Sequence, residues 1–368
     1  MTCISNLKKI GVSLLALSIL IPLVINSANS AYAQQKVTIN GAGATFPFPL
    51  IDTWRVEYQK VNPSVNINYA SIGSGGGIKQ FLEKTVDFGA TDAPLSKTDF
   101  AKAVNPVHIP ETIGSVVLSY NLPGVTTPLK LSGPVIADIF LGKITKWDDP
   151  KIKQLNPNVT LPSNPITVVH RSDGSGTTFV FTNYLSKISP EWSSKVGSST
   201  SVQWPTGIGA PGNEGVSASI TGSPYSIGYV ELAYAITSKM NYATLQNKAG
   251  NFVIPSIEST MAAVSASAST LPKGTDPWTS VSLTDAPGKN SYPIASFTYI
   301  ILYKELSTNP SIDAQKAKSI VSFLSWAITD GQKFSKPLGY VPLPPAVVKI
   351  DQQTLSALTF KGSPISTK

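Results

Sequence analysis

A local unit that recurs along this chain constrains its fold more than any other feature. Each copy consists of a short run of β-forming residues, a turn rich in glycine and serine, and an amphipathic helix. The strands of these units are Val37–Asn40, Val65–Tyr69 and Ile166–Val169. Alternation of strands and helices through short turns predicts an α/β architecture in which helices flank the sheets.

The helices of the three units show apolar residues at the spacing of one helix face. These residues are Leu50, Ile51, Trp54, Tyr58 and Val61, then Ile78, Phe81 and Leu82, and then Val180, Phe181, Tyr184, Leu185 and Ile188. Residues 255–290 are instead rich in Ser, Thr, Ala and Pro. We expect mostly irregular surface structure in that stretch.

The domain organisation follows from length and from two interruptions of the apolar pattern. The chain has 368 residues, which at about 100–200 residues per domain favours two domains. Polar, turn-forming segments at Asn121–Gly124 and Lys289–Ser291 lie on either side of a central block. Two chain crossings there predict a discontinuous first domain, 34–118 plus 291–368, and an inserted second domain, 119–290.

The N-terminus predicts export. Lys8 and Lys9 precede an almost unbroken apolar run, Ile10–Ile25, and small residues around Ala31–Ala33 follow it. This is the pattern of a secretory signal peptide, residues 1–33, cleaved before Gln34. The run is short for a membrane span of roughly 20 residues, although an uncleaved anchor is the alternative. We therefore expect an extracytoplasmic protein, either periplasmic or held at the cell surface.

Residue usage excludes several classes of function. Cys3 is the only cysteine, which excludes disulfide scaffolds and cysteine-based zinc sites. The only histidines are His108 and His170, which leave little room for a metal centre or a histidine-based triad. We therefore expect no cofactor, no metal and no catalytic residue. Of the two histidines, His108 is expected to be structural, and His170 is a candidate for tuning a neighbouring site.

The charge balance indicates an anionic partner. Lys and Arg number 29 against 21 Asp and Glu, which gives a formal net charge of +8. Basic clusters with interleaved aromatic residues are absent from the sequence, so nucleic acid is not the expected partner.

Three glycine-rich turns at predicted helix starts are the candidate anion sites. A helix start offers unpaired N–H groups and a partial positive charge. Arg171, one of two arginines in the chain, directly precedes the third turn, which contains Ser175, Gly176 and Thr177. Its planar fork suits bidentate contact with an oxyanion, and Asp173 is close enough to hold that fork. Any one turn alone is better explained as a helix cap, but three turns with Arg171 favour an anion site.

Asp92 adds selectivity to this hypothesis. A carboxylate beside an anion is favourable only when the anion carries a proton that it can donate. Hydrogen phosphate has such a proton at neutral pH, whereas sulfate does not. The alternative is that Asp92 caps a turn or a helix.

Six segments, in order along the chain, resemble the phosphate-binding proteins of the phosphate-specific ABC transporter. They are Gly41–Pro47, Ile72–Gln80, Thr85–Leu95, Asp138–Asp149, Arg171–Phe179 and Gly228–Tyr234. The resemblance runs through nearly the whole chain after the signal. It implies a type II periplasmic-binding-protein fold, in which two α/β domains enclose dehydrated phosphate in the cleft between them.

The resemblance also implies the ligand contacts. The phosphate-binding residues would be Thr45, Phe46 through its backbone N–H, Ser74, Asp92 as proton acceptor, Arg171, Ser175, Gly176 and Thr177, with Asp173 holding Arg171. Two departures from the family pattern are Ser172, where alanine is frequent, and His170, where a second arginine is common. Closure of the cleft is expected at hinges near Leu118–Asn121 and Asn290–Pro293.

The expected function is that of a monomeric phosphate receptor that delivers its ligand to membrane permease subunits powered by a separate ATPase. Such a protein is not an enzyme. Three alternatives stay open from the sequence: a receptor for another oxyanion, a phosphate sensor or surface scaffold, and a secreted phosphatase on the same fold.

Overall fold

The computed structural model describes residues 36–267 and 271–366. The predicted signal peptide, residues 1–33, lies outside the described residues. None of the helices within the described ranges has both the length and the apolar character needed to cross a bilayer.

The chain alternates strands and helices throughout the described ranges. The strands are β1 Val37–Gly43, β2 Val65–Ser71, β3 Phe88–Thr91, β4 Pro106–Asn121, β5 Lys130–Leu131, β6 Thr167–Arg171, β7 Ile208–Ala210, β8 Ser226–Glu231, β9 Asn241–Tyr242, β10 Thr244–Gln246, β11 Phe252–Val253, β12 Ala295–Tyr303, β13 Thr359–Phe360 and β14 Ser363–Pro364. The α-helices are α1 Phe48–Val61, α2 Ser74–Leu82, α3 Lys97–Lys102, α4 Gly133–Phe140, α5 Pro150–Leu155, α6 Gly176–Ile188, α7 Pro190–Lys195, α8 Gly212–Gly222, α9 Leu232–Thr237, α10 Ile257–Ser267, α11 Ala314–Ala327 and α12 Pro345–Ser356. Short 3₁₀ helices lie at Leu306–Thr308, Asp330–Phe334 and Lys336–Leu338.

The three predicted strand–turn–helix units are confirmed as β1–α1, β2–α2 and β6–α6. The predicted apolar face of α1 is buried through Leu50, Ile51, Trp54 and Tyr58. Val61, the last residue of α1, is the exception and is 63% exposed. The apolar faces therefore identify the elements that form the core.

A nine-stranded mixed sheet is the framework of the molecule. Its order is β2-β1-β3-β12-β4-β8-β6-β7, with β9 paired to β4. Strands β2, β1 and β3 are parallel at one end, and β8, β6 and β7 are parallel at the other. Between them, β12 and β4 run antiparallel to their neighbours. In parallel strands joined through helices, the turns that precede the helices lie at the carboxyl edge of the sheet, where ligands commonly bind.

Strand β4 belongs to both ends of this sheet. Its first part, Pro106–Ser115, pairs with β12, and its second part, Val116–Asn121, pairs with β8. The change of partner lies close to the predicted boundary between residues 118 and 119. The division into domains 34–118 plus 291–368 and 119–290 stays a prediction.

The expectation for residues 255–290 is wrong over its first part. Ile257–Ser267 form helix α10, in which Ala263 and Val264 are buried. Alanine and methionine are strong helix formers, and a tertiary contact for one apolar stripe is enough to stabilise a serine-rich helix. The serine-rich composition of this segment does not indicate the buried stripe.

Candidate anion-binding site

Two of the predicted glycine-rich turns touch each other across the sheet. The N–H of Gly75, in the first turn of α2, donates to the carbonyl of Gly174 before α6 at 2.8 Å. A Cβ atom at Gly176 would lie 2.4 Å from Asp92 Oδ2 and 2.5 Å from Ser74 Oγ. The backbone of α6 therefore approaches these two side chains so closely that only glycine fits there.

Arg171 is buried at the end of β6 and is held by Asp173. Its Nε donates to Asp173 Oδ1 at 2.7 Å and its Nη2 to Asp173 Oδ2 at 2.5 Å. Nη1 reaches Thr177 Oγ1 at 3.3 Å. A guanidinium group carries five N–H bonds, so two remain for a ligand after these three contacts. Asp173 thus fixes the orientation of the guanidinium group, and the edge that carries the two remaining N–H bonds faces the turn of α6.

Asp173 is ionised in this pair. Burial alone would raise the pKa of its carboxyl, but the hydrogen bonds and the charge of Arg171 outweigh burial and hold that pKa below its usual value. The N–H of Gly212 also donates to Asp173 Oδ1, at 3.0 Å. The carboxylate therefore joins β6 to the start of α8 as well.

Four buried hydroxyl groups accept hydrogen bonds, and three of them keep their own protons available. Within residues 36–267 and 271–366, each accepts from a protein donor, and the Ser74 hydroxyl also makes a side-chain hydrogen bond to the carboxyl of Asp92. They are Thr45, Ser74, Ser175 and Thr177. A hydroxyl both accepts and donates, so the protons of Thr45, Ser175 and Thr177 remain for an anion to accept.

Backbone N–H groups add to this set of donors. Those of Phe46, Ser74, Gly176 and Thr177 have no hydrogen-bond acceptor in the part of the chain that the structure describes, although all four residues are buried. Ser74 begins α2, and Gly176 and Thr177 begin α6. Buried N–H groups without partners are rare, and at helix starts they are ready to bind an anion.

Asp92 places a carboxyl group among these donors. It follows β3 and is buried, and Thr298 Oγ1 donates to its Oδ1 at 2.9 Å. Burial raises the pKa of Asp92 to about 7, against the opposing hydrogen bond from Thr298 and the charge of Arg171. The carboxyl therefore changes protonation near neutral pH, and its other oxygen lies beside Gly176.

Comparison with known proteins decides the family. A family model described as a PBP superfamily domain matches residues 28–330. The phosphate-binding protein PstS of Xylella fastidiosa is 47% identical, over 87% of this chain and 85% of that protein. The PstS of Methanocaldococcus jannaschii is 42% identical, over 93% of this chain and 94% of that protein. The chain belongs to the PstS phosphate-binding protein family.

Solved structures show that this PstS-family chain has the fold that the sequence predicts. A phosphate-bound periplasmic phosphate-binding protein, PfluDING, matches with a TM-score of 0.69 at 21% identity, covering 90% of this chain and 97% of that one. A phosphate-binding protein from Stenotrophomonas maltophilia matches with a TM-score of 0.66 at 20% identity, covering 88% and 99%. At these identities the likeness shows the fold. The predicted type II α/β binding-protein fold is confirmed.

Asn213 is a site residue of this PstS-family chain that our sequence analysis missed. It is buried in the first turn of α8, and its Nδ2 donates to Thr45 Oγ1 at 2.7 Å and to Thr177 Oγ1 at 3.2 Å. Its Oδ1 accepts from the N–H of Glu231 at 3.0 Å. A fourth strand–glycine turn–helix unit, β7–α8, was the signal that could have found it. Its strand has only 3 residues, which is too short for an alternating pattern to stand out in the sequence.

The histidines differ in their surroundings but both stay neutral. His108 is buried, its Nε2 accepts from the N–H of Leu95 at 3.1 Å, and burial lowers its pKa to about 3. This confirms a structural role. The ring of His170 stacks on Trp204 at 4.8 Å, and burial lowers its pKa as well. A neutral imidazole adds no positive charge beside Arg171, so His170 does not replace a second arginine.

Proposed function

We propose that this chain is an extracytoplasmic receptor for inorganic phosphate. The observation that carries the proposal is the composition of the site: many hydrogen-bond donors surround one carboxyl that is half-protonated near neutral pH. The relatives with 42% and 47% identity are named phosphate-binding proteins, which supports the same ligand.

In this proposal each predicted site residue has a defined role. The hydroxyl groups of Thr45, Ser74, Ser175 and Thr177 donate to phosphate oxygens. The backbone N–H groups of Phe46 and Gly176 and the free edge of Arg171 complete the donor set. Asp173 orients Arg171, and Asn213 orients two of the hydroxyls.

Asp92 accepts the proton of hydrogen phosphate. A fully deprotonated anion such as sulfate has no proton for this contact, and its oxygen would face a carboxylate in a site closed to water. An unpaired buried acceptor costs about 1–3 kcal/mol, and more when it is charged. The same fold with an uncharged acceptor would discriminate less well, so Asp92 favours phosphate over the alternative of another oxyanion.

The function that follows is binding and delivery rather than catalysis. We infer that the chain acts as a monomer and passes phosphate to membrane permease subunits driven by a separate ATPase. Within the described residues no group of three or more His, Cys, Asp or Glu side chains is arranged to hold a metal ion. The phosphatase alternative is tested by measuring phosphoester hydrolysis with and without added divalent metals.

Calorimetric titration of the ligand-stripped protein with phosphate, and separately with sulfate, tests the proposal. We expect one phosphate per chain at pH about 7 and no measurable heat with sulfate. Equal binding of both anions would make the chain a general oxyanion receptor. If neither anion bound, the proposed function would be wrong even though the fold is that of the family.

A further inference from the structure

A second buried carboxyl, Glu111, lies behind Asp92 and takes no part in the site as described so far. It is 1% exposed and lies in the middle of β4. The pairing of β4 with β12 is irregular at this point: Thr112 faces Thr298, whereas Pro110 faces Tyr299, so Glu111 has no partner residue. Such a β-bulge re-aims the side chain of the extra residue.

Thr298 connects the two carboxyls. Its Oγ1 lies 2.9 Å from Asp92 Oδ1 and 3.2 Å from Glu111 Oε1. A hydroxyl has a single proton and donates to one carboxylate at a time. Both contacts are satisfied together only when one carboxyl is protonated and donates to Oγ1 while Oγ1 donates to the other. The geometry therefore requires one proton on this pair.

The surroundings place that proton on Glu111. Apolar side chains of α1, β3 and α11 enclose it, among them Trp54, Phe88 and Phe323. Its Oε2 has no hydrogen-bond partner among the described residues. Asp92, in contrast, is stabilised as an anion by the charge of Arg171 and by hydrogen bonds.

Few other ionisable groups act on Glu111. Burial raises its pKa to about 8, and the hydrogen bond from Thr298 opposes that shift while the charge of Asp92 adds to it. Tyr69 is the other ionisable group coupled to it, and its own pKa is raised well above the usual value by burial. The Gln332 amide donates to the backbone carbonyl of Glu111, at 2.9 Å, and to that of Ala327.

We infer that Glu111 is a positioning residue of the anion site: as a neutral acid it donates to Thr298, which donates in turn to Asp92 Oδ1, so that Asp92 Oδ2 stays an acceptor for the proton of the ligand. This inference rests on the proposed function. When Glu111 loses its proton, the chain of hydrogen bonds breaks and a second negative charge lies close to the bound anion. Phosphate affinity therefore falls as Glu111 ionises, although phosphate itself becomes more anionic.

The expected size of the effect follows from the distance. Thr298 bridges Asp92 and Glu111 at 2.9 Å and 3.2 Å, and the anion would lie beyond Asp92. Two like charges about 6–12 Å apart change an equilibrium roughly 10- to 100-fold at an effective dielectric constant of about 20. The sign is fixed by linkage: because ionised Glu111 weakens phosphate binding, bound phosphate must raise the pKa of Glu111.

Glu111→Gln is the direct test, because the amide keeps a donor for Thr298 and does not ionise. Phosphate is titrated calorimetrically into wild type and variant at about pH 7 and about pH 9.5. We expect similar affinities at the lower pH and about tenfold or more tighter binding by Glu111→Gln at the higher pH. Asp351→Asn is the matched control, since Asp351 is another buried carboxyl without partners among the described residues. This control should follow the wild type at both pH values.

If phosphate affinity fell by the same factor between the two pH values in the wild type and in Glu111→Gln, the inference would be overturned.

A second experiment does not need ligand: carbon-13 NMR of the Asp92 carboxyl in the phosphate-free protein, followed as a function of pH. We expect a second inflection where Glu111 titrates, and we expect Glu111→Gln to remove it. Its absence from the wild type would overturn the inference too. If the wild type bound no phosphate, the proposed function would fail, and the NMR inflection would still decide whether Glu111 acts on Asp92.

Discussion

At the scale of single residues, the proposed function assigns to Asp92 the selectivity between phosphate and sulfate. Burial holds its pKa at about 7, so above that pH it is ionised and accepts a proton from the ligand. Asp92→Asn replaces a charged acceptor by a neutral amide. We expect phosphate affinity to fall roughly tenfold or more, since a hydrogen bond to a charged group contributes about 1.5–3 kcal/mol. Sulfate affinity should rise because the repulsive carboxylate is gone. Competition titrations measure the ratio of phosphate affinity to sulfate affinity. If Asp92→Asn left this ratio unchanged, Asp92 would not have this role.

In the proposed function, Asn213 acts on the ligand through two hydroxyls. Because its amide donates to Thr45 and Thr177, both hydroxyl protons turn towards the centre of the site. Asn213→Ala should lower phosphate affinity about tenfold or more, at about 1 kcal/mol for each lost hydrogen bond. Asn156→Ala is the matched control, because Asn156 Nδ2 also makes two hydrogen bonds, to Lys130 and Ile152. Equal loss of affinity in both variants would indicate a general effect on stability.

Residues beside glycine-rich turns were predictable, and those that support them were not. Ser74, Arg171 and Thr177 stand in local patterns whose chemistry is visible in the sequence. Thr298 and Glu111 stand within apolar strands, and their contacts with Asp92 arise from the pairing of β12 with β4. The bulge that orients the Glu111 side chain arises from the pairing of two strands far apart in sequence, so no local sequence pattern predicts it.

At the scale of elements, the starts of α2 and α6 approach each other at backbone distance. Gly176→Ala would place a Cβ 2.4 Å from Asp92 Oδ2. Overpacking of this kind costs about 1–3 kcal/mol, so we expect phosphate affinity to fall roughly 10- to 100-fold. Gly222→Ala is the control, because a Cβ there has no atom within 4 Å. Calorimetry gives the affinity and thermal unfolding checks the fold; a Gly176→Ala protein that binds like the wild type would contradict this geometry.

The elements themselves followed from periodicity, but their arrangement did not. The strands and amphipathic helices of the first two units and of β6–α6 were predicted because each pattern is local. The position of β12 between β3 and β4 depends on pairing across about 180 residues or more, which no local pattern contains. Helix α10 was not predicted because its serine-rich composition does not indicate that one apolar stripe of the helix is buried.

At the scale of the whole molecule, the site lies where the two ends of the sheet meet. Ser74 and Asp92 follow strands of the β2-β1-β3 end, whereas Arg171 ends β6 and Gly176 follows it at the other end. Among the described strands, β4 links the two ends: its partner changes from β12 to β8 between Ser115 and Val116. A bend there, with a second one near Asn290–Pro293, would separate the donors without breaking either end of the sheet.

Closure at these hinges is therefore the expected response to phosphate. Small-angle X-ray scattering should show a smaller radius of gyration when phosphate is added to the ligand-stripped protein and no change with sulfate. The reason is that the donors of the two ends repel one another when no anion joins them, so binding free energy is what brings the ends together. Gly176→Ala should stay at the larger radius, because the added Cβ blocks the approach of α6 to Asp92. An unchanged radius in a wild-type protein that binds phosphate would mean that the closed arrangement exists before the ligand arrives, and that phosphate enters by a local opening instead.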